Sequence, residues 1–125
     1  GSGVLAIVAA RLGWEPVLAL DHDPAAIAAT RENAARNRVA IEARRLDLLH
    51  EQVPEVDLVV ANVLAGPLAR WSESQQRLAP RLILSGLLAG EADELAAAFA
   101  RRGLRECERR TRAEWAALAL AEGAG

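Results

Sequence analysis

The first two dozen residues constrain the fold more than any other stretch of the chain. They read GSGVLAIVAARLGWEPVLALDHDP, from Gly1 to Pro24. Gly1 and Gly3 open a turn, apolar residues follow at helical spacing over 2–12, and a buried-strand pattern over 17–20 ends on Asp21. A glycine turn, a helix and a strand with an acidic end predict a unit that binds a nucleotide-like ligand at the carboxyl edge of a parallel sheet.

Two carboxylates follow the strand over 17–20 and call for different interpretations. Asp23 directly precedes Pro24, and this pair is typical of the N-cap and first position of a helix. That assignment leaves Asp21 available to accept hydrogen bonds from both hydroxyls of a ribose. The alternative is that both are solvated turn carboxylates.

The rest of the chain alternates strands and helices. Periodicity predicts helices over 24–37, 68–78 and 91–102, and strands over 41–46, 57–62, 82–84, 104–112 and 114–120. Four apolar residues between Asp57 and Asn62 indicate a strand that is buried on both faces. We therefore expect one α/β domain over residues 1–125, with a Rossmann-like, doubly wound, mostly parallel sheet and an antiparallel C-terminal hairpin.

Two more polar residues end predicted strands and extend the candidate site. Asp47 follows the strand over 41–46, and Asn62 closes the next one. Both fall at the sheet edge where ligands of parallel sheets bind. For Asp47 a capping or turn role is an equally good interpretation, and for Asn62 the alternative is a strand-end turn residue.

Composition limits the possible functions and the cellular setting. The chain has 125 residues and a net charge of −2, so it lacks the basic footprint of a nucleic-acid-binding protein. Cys107 is alone, and no apolar run reaches the length of a membrane span. These features predict a cytoplasmic protein without a membrane partner. His22 and His50 show no metal-ligand spacing, and we expect no metal site.

Five segments resemble one known family. They are GSGVLAIVAARLG, ALDHDPAAIAATRENAARN, DLVVANVLAGPL, RLILSGLLAGEADEL and EWAALAL. Their order and spacing resemble the catalytic domain of the PrmA family, the methyltransferases of large-ribosomal-subunit protein eleven. The glycine turn is generic to class I S-adenosylmethionine (SAM) methyltransferases. The segments around Asn62 and Leu84, and the late Glu-Trp, are more specific.

The resemblance implies a function and a set of site residues. It implies that SAM transfers methyl groups to lysine or N-terminal amines of a ribosomal protein. Gly1, Gly3, Asp21 and Asn62 would bind the cofactor, Asn62 would also be the catalytic residue, and Asp47 would meet the adenine amino group. Asn62 is followed by Val-Leu-Ala rather than the Pro-Pro-aromatic of nucleobase methyltransferases, which favours a protein substrate.

The resemblance also implies that the central strand of the sheet and a substrate-binding N-terminal domain would precede Gly1. We therefore expect the 125 residues alone to be inactive and poorly folded. One alternative is a decayed, non-catalytic copy, since Arg38 and Pro80-Arg81 replace glycine-containing turns of the family. Another is a nicotinamide-dependent oxidoreductase domain. Trp115 is expected to be a hydrophobic plug on the last hairpin.

Overall fold

The chain forms two compact units, which we describe separately. The computed structural model describes residues 3–15, 17–21 and 23–123. The N-terminal unit is Gly1–Glu51 and the C-terminal unit is Gln52–Gly125. Among the described residues, no helix is long and apolar enough to cross a membrane.

The N-terminal unit contains two helices and a small parallel sheet. Its elements are α1 (Val4–Arg11), β1 (Leu18–Asp21), α2 (Pro24–Arg36) and β2 (Glu42–Arg45). β1 and β2 pair in parallel, with Leu18 opposite Glu42 and Asp21 opposite Arg45. The predicted parallel pairing of these strands is confirmed.

Helix α2 begins and ends where the sequence predicts. The Asp23 carboxylate accepts a hydrogen bond from the Ala25 amide at 2.9 Å, so Asp23 is the N-cap. Asn37 is the C-cap, and Arg38 follows with a φ of 55°. This left-handed conformation favours glycine, so the backbone of Arg38 is strained.

The C-terminal unit contains a four-stranded mixed sheet. Its elements are β3 (Leu58–Asn62), α3 (Ala65–Ser74), β4 (Arg81–Leu88), a short 3-10 helix (Ala89–Glu91), α4 (Ala92–Ala100), β5 (Leu104–Arg112) and β6 (Trp115–Glu122). The strand order is β3-β4-β6-β5, with β3 and β4 parallel and the remaining pairs antiparallel. The predicted antiparallel hairpin is confirmed.

The core of the C-terminal unit lies between its sheet and its two longer helices. Trp71 of α3 and Phe99 of α4 are buried, and their ring centroids are 6.1 Å apart. Apolar residues of the sheet complete this core: Leu82, Leu84, Leu87, Leu104, Leu118 and Leu120. Their burial, like that of the aromatic pair, contributes hydrophobic stabilisation to the unit.

Three details of the C-terminal unit differ from the prediction. Helix α3 spans Ala65–Ser74 rather than 68–78. It can include Pro67 because a missing N–H costs nothing in the first turn. Strand β4 does not end at Leu84, as predicted, but continues through a bulge to Leu88. Strand β3 is half-buried rather than buried on both faces, because it is an edge strand of this sheet.

Polar side chains hold the end of α3. The Arg102 guanidinium donates hydrogen bonds to the carbonyl oxygens of Ser72 and, at 2.7 Å, of Gln75. The Gln75 side chain in turn accepts the Val53 amide at 2.8 Å. A positive charge at a helix C-terminus is favourable, because the last carbonyl groups lack partners in the helix.

Strands β1 and β3 belong to different sheets, since β1 pairs with β2 and β3 pairs with β4. The central strand that the resemblance implies before Gly1 stays a prediction.

Candidate functional site

Asp21 ends β1, and two hydrogen bonds from backbone amides position it. One carboxylate oxygen accepts the Asp23 amide at 3.0 Å, and the Asp21 carbonyl accepts the Leu46 amide at 2.8 Å. The residue is half-buried. The predicted difference between the two acidic residues is confirmed in one respect, since Asp23 caps α2 and Asp21 lies at the end of β1. That Asp21 binds a ribose stays a prediction.

Gly3 is the N-cap of α1 and has a φ of 82°. A Cβ atom on Gly3 would lie 2.6 Å from Cγ2 of Thr30, so a side chain would collide with α2. The structure thus gives a packing reason for this glycine, in addition to the predicted close approach of a ligand. Gly1, the other predicted glycine, and His22 lie outside the described residues.

Asp47 lies in a closed turn. Its carboxylate accepts the Leu49 amide at 3.1 Å and lies 2.7 Å from Nδ1 of His50. The Asp47 amide donates to the Glu51 carboxylate at 2.9 Å. These contacts support the turn interpretation of Asp47, and its proposed contact with adenine stays a prediction.

Asn62 is the last residue of β3 and is exposed. It lies opposite Ser85 of β4, and the amide of the next residue, Val63, donates to the Ser85 carbonyl at 3.2 Å. The Asn62 side-chain oxygen fills the space that a Cβ atom on Gly86 would occupy. The Asn62 amide is therefore held at the carboxyl end of β3, against β4.

Trp115 does not act as a plug, because 49% of its surface is exposed. It lies opposite Leu88, at the carboxyl end of β4, and Leu88 is also exposed. The alternation of side chains along β6 could have predicted that Trp115 is exposed. Leu118 and Leu120 are buried, and residues at odd positions of β6 point to the other face.

Leu64 is a further exposed apolar residue that the sequence did not single out. It follows β3 by two positions and is 68% exposed. Its carbonyl accepts the Leu68 amide at 3.2 Å, the first hydrogen bond of α3. The carboxyl ends of β3 and β4 in this unit thus combine one amide side chain with three exposed apolar ones: Leu64, Leu88 and Trp115.

Similar solved structures share the fold. The ribosomal protein L11 methylase from Lactobacillus delbrueckii subsp. bulgaricus superposes with a TM-score of 0.86 at 29% identity, over 99% of this chain and 67% of that one. The 16S rRNA methyltransferase RmtF, solved with S-adenosyl-L-homocysteine, superposes with a TM-score of 0.72 at 22% identity. The superposition covers 97% of this chain and 53% of RmtF, and at this identity it shows the fold alone. The predicted class I methyltransferase fold is confirmed.

Sequence relatives agree with the structural comparison. The ribosomal protein L11 methyltransferase of Heliobacterium modesticaldum is 40% identical over 123 residues, covering 94% of this chain and 39% of that protein. The ribosomal protein L11 methyltransferase of Cupriavidus necator is 48% identical over 105 residues, which cover 80% of this chain and 34% of that protein. The chain thus spans between a third and two fifths of these relatives. The family model for ribosomal protein L11 methyltransferase (PrmA) matches residues 1–122, and the chain belongs to this family.

Proposed function

We propose that the protein is a SAM-dependent methyltransferase that modifies amine nitrogens of a ribosomal protein. The observation that carries the proposal is the family match over residues 1–122. The relatives are named ribosomal protein L11 methyltransferase, so ribosomal protein L11 is the substrate we propose. The same match disfavours the oxidoreductase alternative.

The residues of the N-terminal unit suit the chemical groups of SAM. Asp21 offers carboxylate oxygens at the end of β1, which suit a ribose diol. Helix α1 begins at Gly3 without a side-chain cap, so its first amides can donate to a carboxylate. In this proposal Asp21 and Gly3 bind the cofactor, together with Gly1, and Asp47 is a weaker candidate. Bound SAM would supply the electrophilic methyl group.

Asn62 is the residue that we propose to contact the accepting amine. A lysine amine has a pKa near 10.4 and must be deprotonated before it can attack. The side-chain oxygen of Asn62 can accept a hydrogen bond from the amine and orient its lone pair. Because the Leu64 carbonyl is bonded to Leu68, the Val63 carbonyl is the second acceptor that we propose nearby.

The exposed apolar residues fit a lysine substrate. Lysine has a four-carbon stem, which gains free energy when it leaves water against an apolar surface. Leu88 and Trp115 offer such a surface at the carboxyl end of β4.

Labelled SAM tests the proposal directly. The complete gene product should be incubated with labelled SAM and with ribosomal protein L11, free or within ribosomal subunits. We expect label in the protein, and Asn62→Ala should reduce its incorporation. Label in RNA would contradict the proposed substrate. Absence of both transfer and SAM binding would favour the alternative of a non-catalytic copy.

A further inference from the structure

Strand β4 contains a bulge directly beside Asn62. Its pairing with β6 shifts between Leu84 and Leu87, and Gly86 lies within this shift with a φ of 82°. Glycine adopts this left-handed conformation without a steric penalty, whereas residues with a Cβ atom rarely do. The backbone of the bulge alone therefore favours glycine.

A second, independent constraint acts on Gly86. A Cβ atom there would overlap the side-chain oxygen of Asn62, and it would lie 3.3 Å from the nitrogen and 3.4 Å from the oxygen of Val63. The first is an overlap that the Asn62 side chain would have to relieve by moving, the contact with the Val63 nitrogen is tight, and the distance to the Val63 oxygen is that of an ordinary contact. The Asn62 amide and the backbone after it thus rest against the bare Cα of Gly86.

Other glycines show that these constraints are separable. Gly13 and Gly103 have φ values of 94° and 84°, yet a Cβ atom on either would meet nothing within 4 Å. A glycine with positive φ therefore does not need a neighbour close to its Cα. The contact of Gly86 with Asn62 is a separate property of this position.

We propose that Gly86 is a positioning residue for Asn62. The bulge brings a side-chain-free Cα beside the Asn62 amide and so leaves the space that its side-chain oxygen occupies. A substitution at Gly86 would therefore displace the Asn62 amide. This inference rests on the proposed function, since Asn62 matters only if it contacts the accepting amine or the cofactor.

The test compares Gly86→Ala with Gly103→Ala in the complete gene product. Both substitutions place alanine at a φ near 83°, but only the first encroaches on Asn62. We expect Gly86→Ala to lower kcat/KM for methyl transfer by about tenfold to a hundredfold, because catalysis is sensitive to displacements near 1 Å. Gly103→Ala should change it by less than about twofold. Equal effects on kcat/KM would overturn the proposal.

A double-mutant cycle separates positioning from general damage. In an Asn62→Ala background the overlapping oxygen is gone, so adding Gly86→Ala should lower kcat/KM by a smaller factor than it does in the wild type. The melting temperature should follow the same pattern, with Gly86→Ala costing less in the Asn62→Ala background than in the wild type. Additive losses of both quantities would overturn the proposal even if Gly86→Ala folds poorly.

The outcomes also distinguish this proposal from the function on which it rests. If Asn62→Ala abolishes transfer while Gly86→Ala behaves like Gly103→Ala, the function stands and the role of Gly86 is rejected. If the wild type transfers no methyl group to protein or RNA, the proposed function fails. The melting-temperature cycle then still decides whether Gly86 and Asn62 are in contact.

Discussion

The two units of the chain differ in what holds them together. In the C-terminal unit, an aromatic pair and a set of leucines are almost completely buried under a four-stranded sheet. The N-terminal unit has a two-stranded sheet, and its few buried side chains are smaller or slightly exposed. Its candidate site residue Asp21 accepts hydrogen bonds from the Asp23 and Leu46 amides. Packing therefore dominates one unit, and polar contacts shape the other.

Removing a large buried side chain from each unit gives the strongest test of this difference and the largest expected effect. Phe99 is fully buried, and Phe99→Ala should cost about 3–5 kcal/mol of unfolding free energy through lost burial and a cavity. Ile27 is 7% exposed in a smaller core, and Ile27→Ala should cost about 2 kcal/mol. Urea unfolding of the complete gene product measures both. Equal losses would contradict the difference between the units.

The next largest effect concerns ligand binding in the N-terminal unit. Asp21→Ala should weaken SAM binding tenfold or more, because a charge-assisted hydrogen bond contributes about 1.5–3 kcal/mol. Isothermal titration calorimetry with SAM provides the measurement. An unchanged dissociation constant would reject the ribose assignment and leave Asp21 as a turn residue.

Asp23→Ala is the matched control for Asp21→Ala. It removes the N-cap hydrogen bond to Ala25, so it should cost about 1 kcal/mol of stability. The affinity for SAM should stay close to that of the wild type. A loss of affinity similar to that of Asp21→Ala would show that the two carboxylates act together on the ligand.

The smallest predicted effects are gains in stability, one in each unit. Arg38 follows α2 with a φ of 55°, and Ala113 lies in the turn between β5 and β6 with a φ of 54°. Glycine relieves left-handed strain of about 1–2 kcal/mol, and its larger entropy in the unfolded state offsets part of this. Arg38→Gly and Ala113→Gly should each raise the unfolding free energy by less than about 1 kcal/mol.

Ala97→Gly is the control for these two substitutions. Ala97 is exposed in the interior of α4, where glycine should cost about 1 kcal/mol. Thermal unfolding should therefore show a higher stability for Arg38→Gly and Ala113→Gly and a lower stability for Ala97→Gly. Destabilisation by Arg38→Gly or Ala113→Gly would mean that the arginine or alanine side chain makes a compensating contact.

Local signals in the sequence predicted much of the fold. The Asp23-Pro24 pair located the start of α2, because capping depends on the adjacent residues alone. The path of β4 through Gly86 was not predictable in this way. A glycine after an apolar run indicates a turn or a bulge equally well, and the pairing with β6 decides between them.

The candidate site was predicted as a set of residues rather than as a geometry. Asp21 and Asn62 were found because each ends a strand, and the structure places both at strand ends. The contact between Gly86 and Asn62 joins residues of two strands, and no pattern within either strand encodes it. Trp115 was misplaced because its hydrophobicity was weighed without the alternation of β6.

The two edge strands of the four-stranded sheet differ in charge and therefore in their tendency to pair with another chain. Six of the nine residues of β5 carry charge, and repulsion and hydration discourage a foreign strand from pairing there. The other edge, β3, presents Leu-Val-Val-Ala without a charge between Asp57 and Asn62. An apolar edge of this kind is a template for intermolecular strand pairing. Self-association of the isolated chain should therefore proceed through β3, rise with concentration, and be suppressed by a charged residue at Val60.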